Sequence, residues 1–266
     1  MEIIQVILIS VALINLFPVY YMFVTSFKDE LEALKNPLGL PSTFRFENYV
    51  TLLVDKGFPR LFLSSCILTI SSVVIALCIS CLAAYALAHL NFPFRQTLLD
   101  LITALMAIPP IVLVIPLFVL MNSLKLLNTY PSAIIVYIGF ILPFSIFILT
   151  GFFLSFPKEF MEAAKIDGAS DFQILLKVLL PMSKAPLMTL MIVNGMWVWN
   201  ELLIAIMFLQ KEEMRTLMAG IAYLHGRNVR NIPLVMGGSV LASLPVLVAL
   251  AIGQRAFVRG LIGGQK

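Results

Sequence analysis

The chain has 266 residues, 61% of them hydrophobic and only 12% charged, with a mean hydropathy of +1.01. A soluble domain carries about a quarter charged residues, so this composition excludes one and places the chain in a bilayer. The formal charge of +4 does not redirect the reading to nucleic acid, because the basic residues are scattered over short loops and form no patch.

In chain order, charge-free stretches run over 3–27, 61–88, 101–124, 126–157, 185–200 and 231–254. All but the fifth exceed the roughly 18 apolar residues that cross a hydrocarbon core as a helix. Glu201 interrupts the fifth, whose apolar pattern resumes through Leu209. The sequence predicts an all-α integral membrane protein made of a single transmembrane domain over 1–266. Its six spans lie at about 3–24, 61–88, 99–121, 132–154, 187–209 and 232–254, which puts both termini on one side.

The first stretch has no basic n-region and is long for a signal peptide, so it reads as a retained span. The second holds all three cysteines, Cys66, Cys78 and Cys81. Its CxxC pair is two small residues one turn apart on a membrane helix, where packing is the simpler reading. Prolines recur inside the spans at 18, 109, 110, 116, 143 and 245. Each frees a carbonyl and bends its helix, and Pro109-Pro110 is the pair expected to matter. Basic residues do not fix the orientation: the loops at about 89–97 and 154–186 with the C-terminus are basic, and so are those at about 25–60, 122–131 and 210–232.

Between the fourth and fifth spans lies a charged, punctuated segment, "EAAKIDGASDFQILLKVLLP", residues 162–181, within a loop of 155–186. Pro157, Glu159 and Glu162 suit the first turns of a helix that runs to Asp167. Gly168 stands where a left-handed cap ends it. Ser170 and Gln173 form a capping box that starts a second helix. Phe172, Leu175, Leu176 and Leu179 give that helix an expected apolar face. The segment reads either as an ordinary interfacial loop or as a handle that an outside partner pushes.

Polar residues inside spans are costly in lipid, so each marks a solute pathway or a helix contact. Asn200 and Glu201 in the fifth span are the sharpest candidates, followed by Asn194 deeper in the same span and Asn15 in the first. No enzyme constellation emerges. His89 and His225 fall on opposite sides of the expected topology, so no metal or catalytic pair is expected, and no G-x-x-x-x-G-K-[ST] phosphate loop occurs.

Glu162-Ala163-Ala164, three residues, Gly168, nine residues, Val178, one residue and Leu180-Pro181 resemble the EAA loop of permease subunits of binding-protein-dependent ABC importers, with Val178 where isoleucine is usual. Thr25-Ser26-Phe27-Lys28, Glu47-Asn48-Tyr49, Trp199-Asn200-Glu201 and the ending "QRAFVRGLIGGQK" are similar to the carbohydrate-uptake branch. The resemblance implies that the loop is cytoplasmic and that its first helix, the coupling helix, docks on an ATPase subunit. Glu162 would be its acidic contact, Ala163 and Ala164 its small surface, and Gly168 its elbow, with Asp167 and Ala169 alongside.

It further implies a multi-pass protein of a prokaryotic cytoplasmic membrane that translocates a carbohydrate by alternating access. Its partners would be a homologous second permease in a heterodimer, two ATP-binding subunits and an extracytoplasmic solute-binding protein facing the loop around 211–231. Membrane lipid would surround it, and no nucleic acid is involved. This chain would bind no cofactor; ATP and magnesium would sit on the ATPase. An importer of glycerol-phosphate, peptide or amino acid is the alternative, and an ion-coupled carrier, which needs paired carboxylates or a repeat, a more distant one. Two departures from the resemblance stand out: the chain turns apolar at Ile3 where relatives have a basic tail, which would leave the first helix without its usual anchor or indicate a mis-assigned start, and it ends in Gly263-Gly264-Gln265-Lys266 in place of the common Gly-Ala-Val-Lys-Gly ending.

Overall fold

The computed structural model describes residues 2–227 and 231–262, so parts of the expected 211–231 loop and of the C-terminal ending lie outside the described residues. The chain runs through α1 (Glu2–Ser26), α2 (Glu30–Lys35), α3 (Glu47–Val50, continuing into a wide π turn over Thr51–Asp55), α4 (Phe58–His89), α5 (Arg95–Leu105), α6 (Pro110–Ser123) and α7 (Tyr130–Leu154). There follow α8 (Lys158–Ile166), α9 (Asp171–Met182), α10 (Lys184–Asn200), α11 (Leu203–Phe208), α12 (Leu217–Arg227) and α13 (Ile232–Ile262). No strand occurs among the described residues.

Stretches Ile4–Ser26, Phe58–His89, Tyr130–Leu154 and Ile232–Ile252 are each long and apolar enough to cross a membrane. Two further candidates are bent pairs: α5 with α6, at 99°, and α9 with α10, at 78°. The stretch 99–121, expected as one span, is thus two helices. The cause is Pro109-Pro110: Pro109 disfavours helix at Ile108, and its own ψ of 131° is extended. Short bonds such as Ala107 N–H to Ala104 O (3.1 Å) tighten the end of α5, and Pro110 opens α6 where its missing N–H costs nothing.

The helices gather into two compact units, Met1–Ser64 with Arg215–Leu247, and Ser65–Met214 with Val248–Lys266. In the first unit, the segments Thr25–Lys28 and Glu47–Tyr49 form one knot. Asn48 Nδ2 donates to the carbonyls of Ser26 (2.9 Å) and Lys28 (3.0 Å), and the hydroxyls of Ser26 and Tyr49 lie 2.7 Å apart. Burial outweighs the lowering influence of Ser26 and holds the Tyr49 phenol above its usual pKa, so it stays protonated. Phe27 packs its ring against Phe23, Phe44, Phe46 and Tyr49 at 5.1–5.5 Å.

Lys28 is fully buried and donates to the carbonyls of Asn36 (2.6 Å) and Pro37 (3.2 Å), placing a cation at the C-terminal end of α2. Two sequence segments some twenty residues apart therefore tie the end of α1 to the approach to α4. Asn48→Ala is expected to lower stability by about 1–2 kcal/mol, because it strips two backbone carbonyls of their donor. Thermal unfolding of the detergent-purified protein reads the loss. In the same unit Gly220 lies against Leu61 so closely that a Cβ at position 220 would overlap its side chain.

The second unit is built around one apolar cluster to which α4, α7, α9, α10 and α11 contribute, including Leu68, Tyr137, Phe153, Ile174, Leu190 and Phe208. A polar staple closes one end. Asn128 N–H donates to Phe208 O (2.9 Å), while its side-chain oxygen accepts from the N–H groups of Gln210 (2.7 Å) and Lys211 (3.1 Å). Asn128 takes a left-handed φ of 59°, which asparagine tolerates.

Candidate coupling site and polar residues of the spans

Pro157 caps α8 with an extended ψ of 128°, and the helix ends at Asp167. Gly168 then takes φ of +79°. Its N–H donates to Lys165 O (3.0 Å), and the Ala169 N–H reaches back to Ala164 O (2.9 Å). These two bonds form a Schellman motif, which satisfies two of the last carbonyls and turns the chain sharply. Next, Ser170 and Gln173 make the reciprocal capping box: Gln173 N–H donates to Ser170 Oγ (3.3 Å), and Ser170 N–H to Gln173 Oε1 (2.9 Å). The elbow between α8 and α9 is thus fixed by local hydrogen bonds.

The elbow presents a defined face. Glu159, Glu162, Ala163 and Ile166 recur at i, i+3, i+4 and i+7 and are all exposed, Ile166 to 86%. Asp167 and Gly168 continue that exposed surface, whereas Ala164 and Ala169 are half-buried and pack, with Met161, against the apolar cluster. Of the six residues singled out in the sequence, four lie open and two face inward. Ile166 and the exposed Phe160 carry no pattern that would have selected them.

In α9 the expected apolar face is partly displaced. Ile174, Leu175 and Leu179 are buried, while Phe172 and Leu176 are 60% and 46% exposed. Ile174, Leu175, the half-buried Val178 and Leu179 recur at i, i+1, i+4 and i+5, so the buried face keeps helical spacing but is turned toward Ile174 and Val178. Pro181 has no N–H for the carbonyl of Lys177 and its ring crowds that carbonyl, and just ahead of it the helix widens into a π turn over Leu175–Leu179.

The polar residues of the spans fall into different settings. Asn194 is buried in α10 and donates to Ser145 Oγ of α7 (2.8 Å), whose hydroxyl in turn donates to Ile141 O (2.8 Å). Glu201 stands where α10 ends. Its carboxylate accepts from the N–H groups of Ile204 (2.9 Å) and Ala205 (3.2 Å) and from the Tyr137 hydroxyl (3.1 Å). A negative charge at the N-terminal end of α11 is favourable and leaves little of the carboxylate unbonded.

Asn200 beside it is exposed and bonds within its own helix, to Met196 O (2.8 Å). Asn15 does likewise on the exposed surface of α1, to Val11 O (2.7 Å). The structure therefore gathers Asn194, Asn200 and Glu201 along α10, and Asn15 belongs to the other unit. Trp197 packs its ring against Phe140 (6.1 Å) and against Tyr137 (6.2 Å), the partner of Glu201, and the sequence did not single it out. Among the described residues, no three His, Cys, Asp or Glu side chains gather as a metal site would require.

The chain is similar to known proteins. The family described as "Binding-protein-dependent transport system inner membrane component" matches residues 76–262, well over half of the chain. The diacetylchitobiose uptake system permease protein NgcG of Streptomyces coelicolor is 32% identical over 250 residues, 93% of this chain and 83% of that protein. The arabinooligosaccharides transport system permease protein AraQ of Halalkalibacterium halodurans is 33% identical over 261 residues, 96% of this chain and 93% of that protein. A crystal structure of a bacterial ABC transporter involved in the import of the acidic polysaccharide alginate superposes with a TM-score of 0.80 at 27% identity, covering 96% of each chain. This multi-pass chain belongs to the family of inner-membrane components of binding-protein-dependent transport systems.

Proposed function

We propose that this chain is a permease subunit of an ATP-driven ABC importer that translocates a carbohydrate across a prokaryotic cytoplasmic membrane. The observation that carries the reading is α8: a short helix locked by a Schellman elbow, its outer face open, in a chain of this family. A flexible loop would dissipate a push from outside, and this one is rigid enough to transmit it. The family description supports a soluble binding protein as the source of substrate. The relatives named for diacetylchitobiose and arabinooligosaccharides, and the alginate transporter, support a carbohydrate and do not favour glycerol-phosphate, peptide or amino acid.

In this reading α8 is cytoplasmic and meets a separate ATPase, which alone binds ATP and magnesium. Glu162 supplies charge, Ala163 allows close approach, and Ile166 supplies the apolar contact. ATP-driven closure of two ATPase subunits displaces α8 and shifts the spans between inward-open and outward-open states, each stabilised by different contacts. A second, related permease completes the pathway. The exposed apolar surface of α1 from Ile4 to Tyr20 supports that partner as well as lipid. Asn200 is the strongest candidate for a sugar hydroxyl, since Asn194 and Glu201 are engaged in holding helices.

For Glu201 the expected result is structural. Glu201→Gln keeps one acceptor oxygen and costs about 1 kcal/mol in thermal unfolding, with the order of preferred sugars unchanged. The function is tested by reconstituting this chain with the ATPase, second permease and binding protein that purify with it, in liposomes. Radiolabelled arabinotriose and chitobiose are compared with glycerol-3-phosphate, leucine and a dipeptide. ATP-dependent uptake of an oligosaccharide is expected, and uptake confined to a non-sugar solute would overturn the carbohydrate assignment.

A further inference from the structure

We propose that Tyr85 is a positioning residue for coupling: its hydroxyl, acting through Asp171, makes α9 and the coupling elbow move with α4 as one body. The inference rests on the reading of α8 as the coupling helix. One carboxylate oxygen joins three elements. Asp171 Oδ1, on the first residue of α9, accepts from the Tyr85 hydroxyl of α4 at 2.8 Å, and Lys165 Nζ of α8 lies 3.7 Å from the same oxygen.

The two contacts differ in kind. Lys165 and Asp171 are both about half-exposed, so their ion pair is screened and readily exchanged for water or for a partner's groups. Tyr85 is only 5% exposed, within the apolar cluster, with its ring 5.4 Å from that of His89. A phenol held this way cannot follow Asp171 if the loop slides along α4. Its O–H would lose a charged acceptor while staying buried, the costly half of breaking a hydrogen bond.

The other restraints on the loop do different work. The Schellman bonds and the capping box fix the angle between α8 and α9 but not the place of either on the body. Met161, Ala164, Ala169, Ile174 and Leu175 attach the loop by apolar packing, which is non-directional and permits sliding. The bond from Tyr85 to Asp171 is directional and fixes register. A push on α8 therefore reaches the second span and does not end in rocking of the elbow.

The test uses the complete detergent-purified transporter with Cys66, Cys78 and Cys81 replaced by serine. Spin labels are placed on Ile79→Cys of α4 and Lys177→Cys of α9, both exposed positions, and distances are read by double electron–electron resonance. Nucleotide-free and ADP–vanadate-trapped states are compared. With Tyr85 intact, one narrow distance is expected in both states. Tyr85→Phe, which removes only the hydroxyl, is expected to shift or broaden the trapped-state distance by on the order of 5 Å, about one helical turn.

Asp171→Asn retains an acceptor oxygen and is expected to behave as the parent. The proposal fails if Tyr85→Phe leaves the distances of both states unchanged, if the parent distance itself changes between states, or if Tyr85→Phe simply prevents assembly, which would make Tyr85 a packing residue. A parent chain that retains no ATPase would instead overturn the coupling reading and this inference with it, an outcome distinct from the other three.

Discussion

Gly168→Val is expected to reduce ATP-driven uptake by roughly tenfold or more while leaving membrane insertion and yield near wild type. Position 168 has φ of +79°, a conformation that costs an ordinary residue about 1–2 kcal/mol and a β-branched one more. Nothing lies within 4 Å of a Cβ built there, so the penalty is backbone strain and not a clash within the chain. The chain relieves it by opening the Schellman bonds from Gly168 to Lys165 and from Ala169 to Ala164, which frees the angle between α8 and α9. The strain is confined to the elbow, and the buried members of the cluster contributed by α9, Ile174, Leu175 and Leu179, lie beyond it. Gly168→Asn serves as the graded control, since asparagine tolerates positive φ and should keep most of the uptake. Equal uptake by wild type and Gly168→Val would show that the elbow's angle does not matter to transport.

Glu162→Lys is expected to weaken association with the ATPase by roughly tenfold to a hundredfold, the range for a reversed charge at the centre of an interface. Glu162 is exposed, lies in the middle of the open face of α8 and is flanked by Ala163 and Ile166. No described ion pair holds it within the chain, where Lys165 instead faces Asp171. The substitution therefore leaves the fold unstrained and acts on the partner. Affinity of the purified permease pair for the ATPase, measured by biolayer interferometry at two salt concentrations, checks this. The loss should shrink as ionic strength rises. A loss independent of salt would assign the effect to distortion of α8.

What the sequence made legible was local. Ser170 with Gln173, and Gly168 after a helix with Ala164 and Lys165 near its end, are short-range patterns whose hydrogen bonds form within six residues, and the structure contains both. The positions of the apolar helices followed from runs of uncharged residues in the same way. The bent third stretch was foreshadowed by Pro109-Pro110, although the sequence alone did not give the size of the bend, 99°. The rotated face of α9 was hidden because Phe172, Ile174, Leu175 and Leu176 are all apolar, so the pattern alone did not say which of them turn inward.

Other features needed the third dimension. Tyr85 and Asp171 are 86 positions apart, and Asn194 and Ser145 are 49 apart, so no spacing rule pairs them. Glu201 read as either a solute contact or a helix contact because a charge in a span is costly. Its partners are the backbone N–H groups just downstream and Tyr137, and they show that the charge also marks where the helix breaks. Ile166 was passed over because an apolar residue in an apolar chain carries no signal until its neighbours are known to be exposed.

The central claim is that residues 157–170 are the handle by which an ATPase moves this permease. The most direct measurement is affinity purification of the chain from its native membrane in mild detergent, wild type beside Glu162→Lys, with quantitative mass spectrometry of the retained proteins. An ATPase and a related permease recovered with wild type, and selective loss of the ATPase with Glu162→Lys, is the predicted result. Retention of the ATPase at equal stoichiometry by both proteins, or a wild-type chain that purifies alone while a control transporter stays intact, would contradict it.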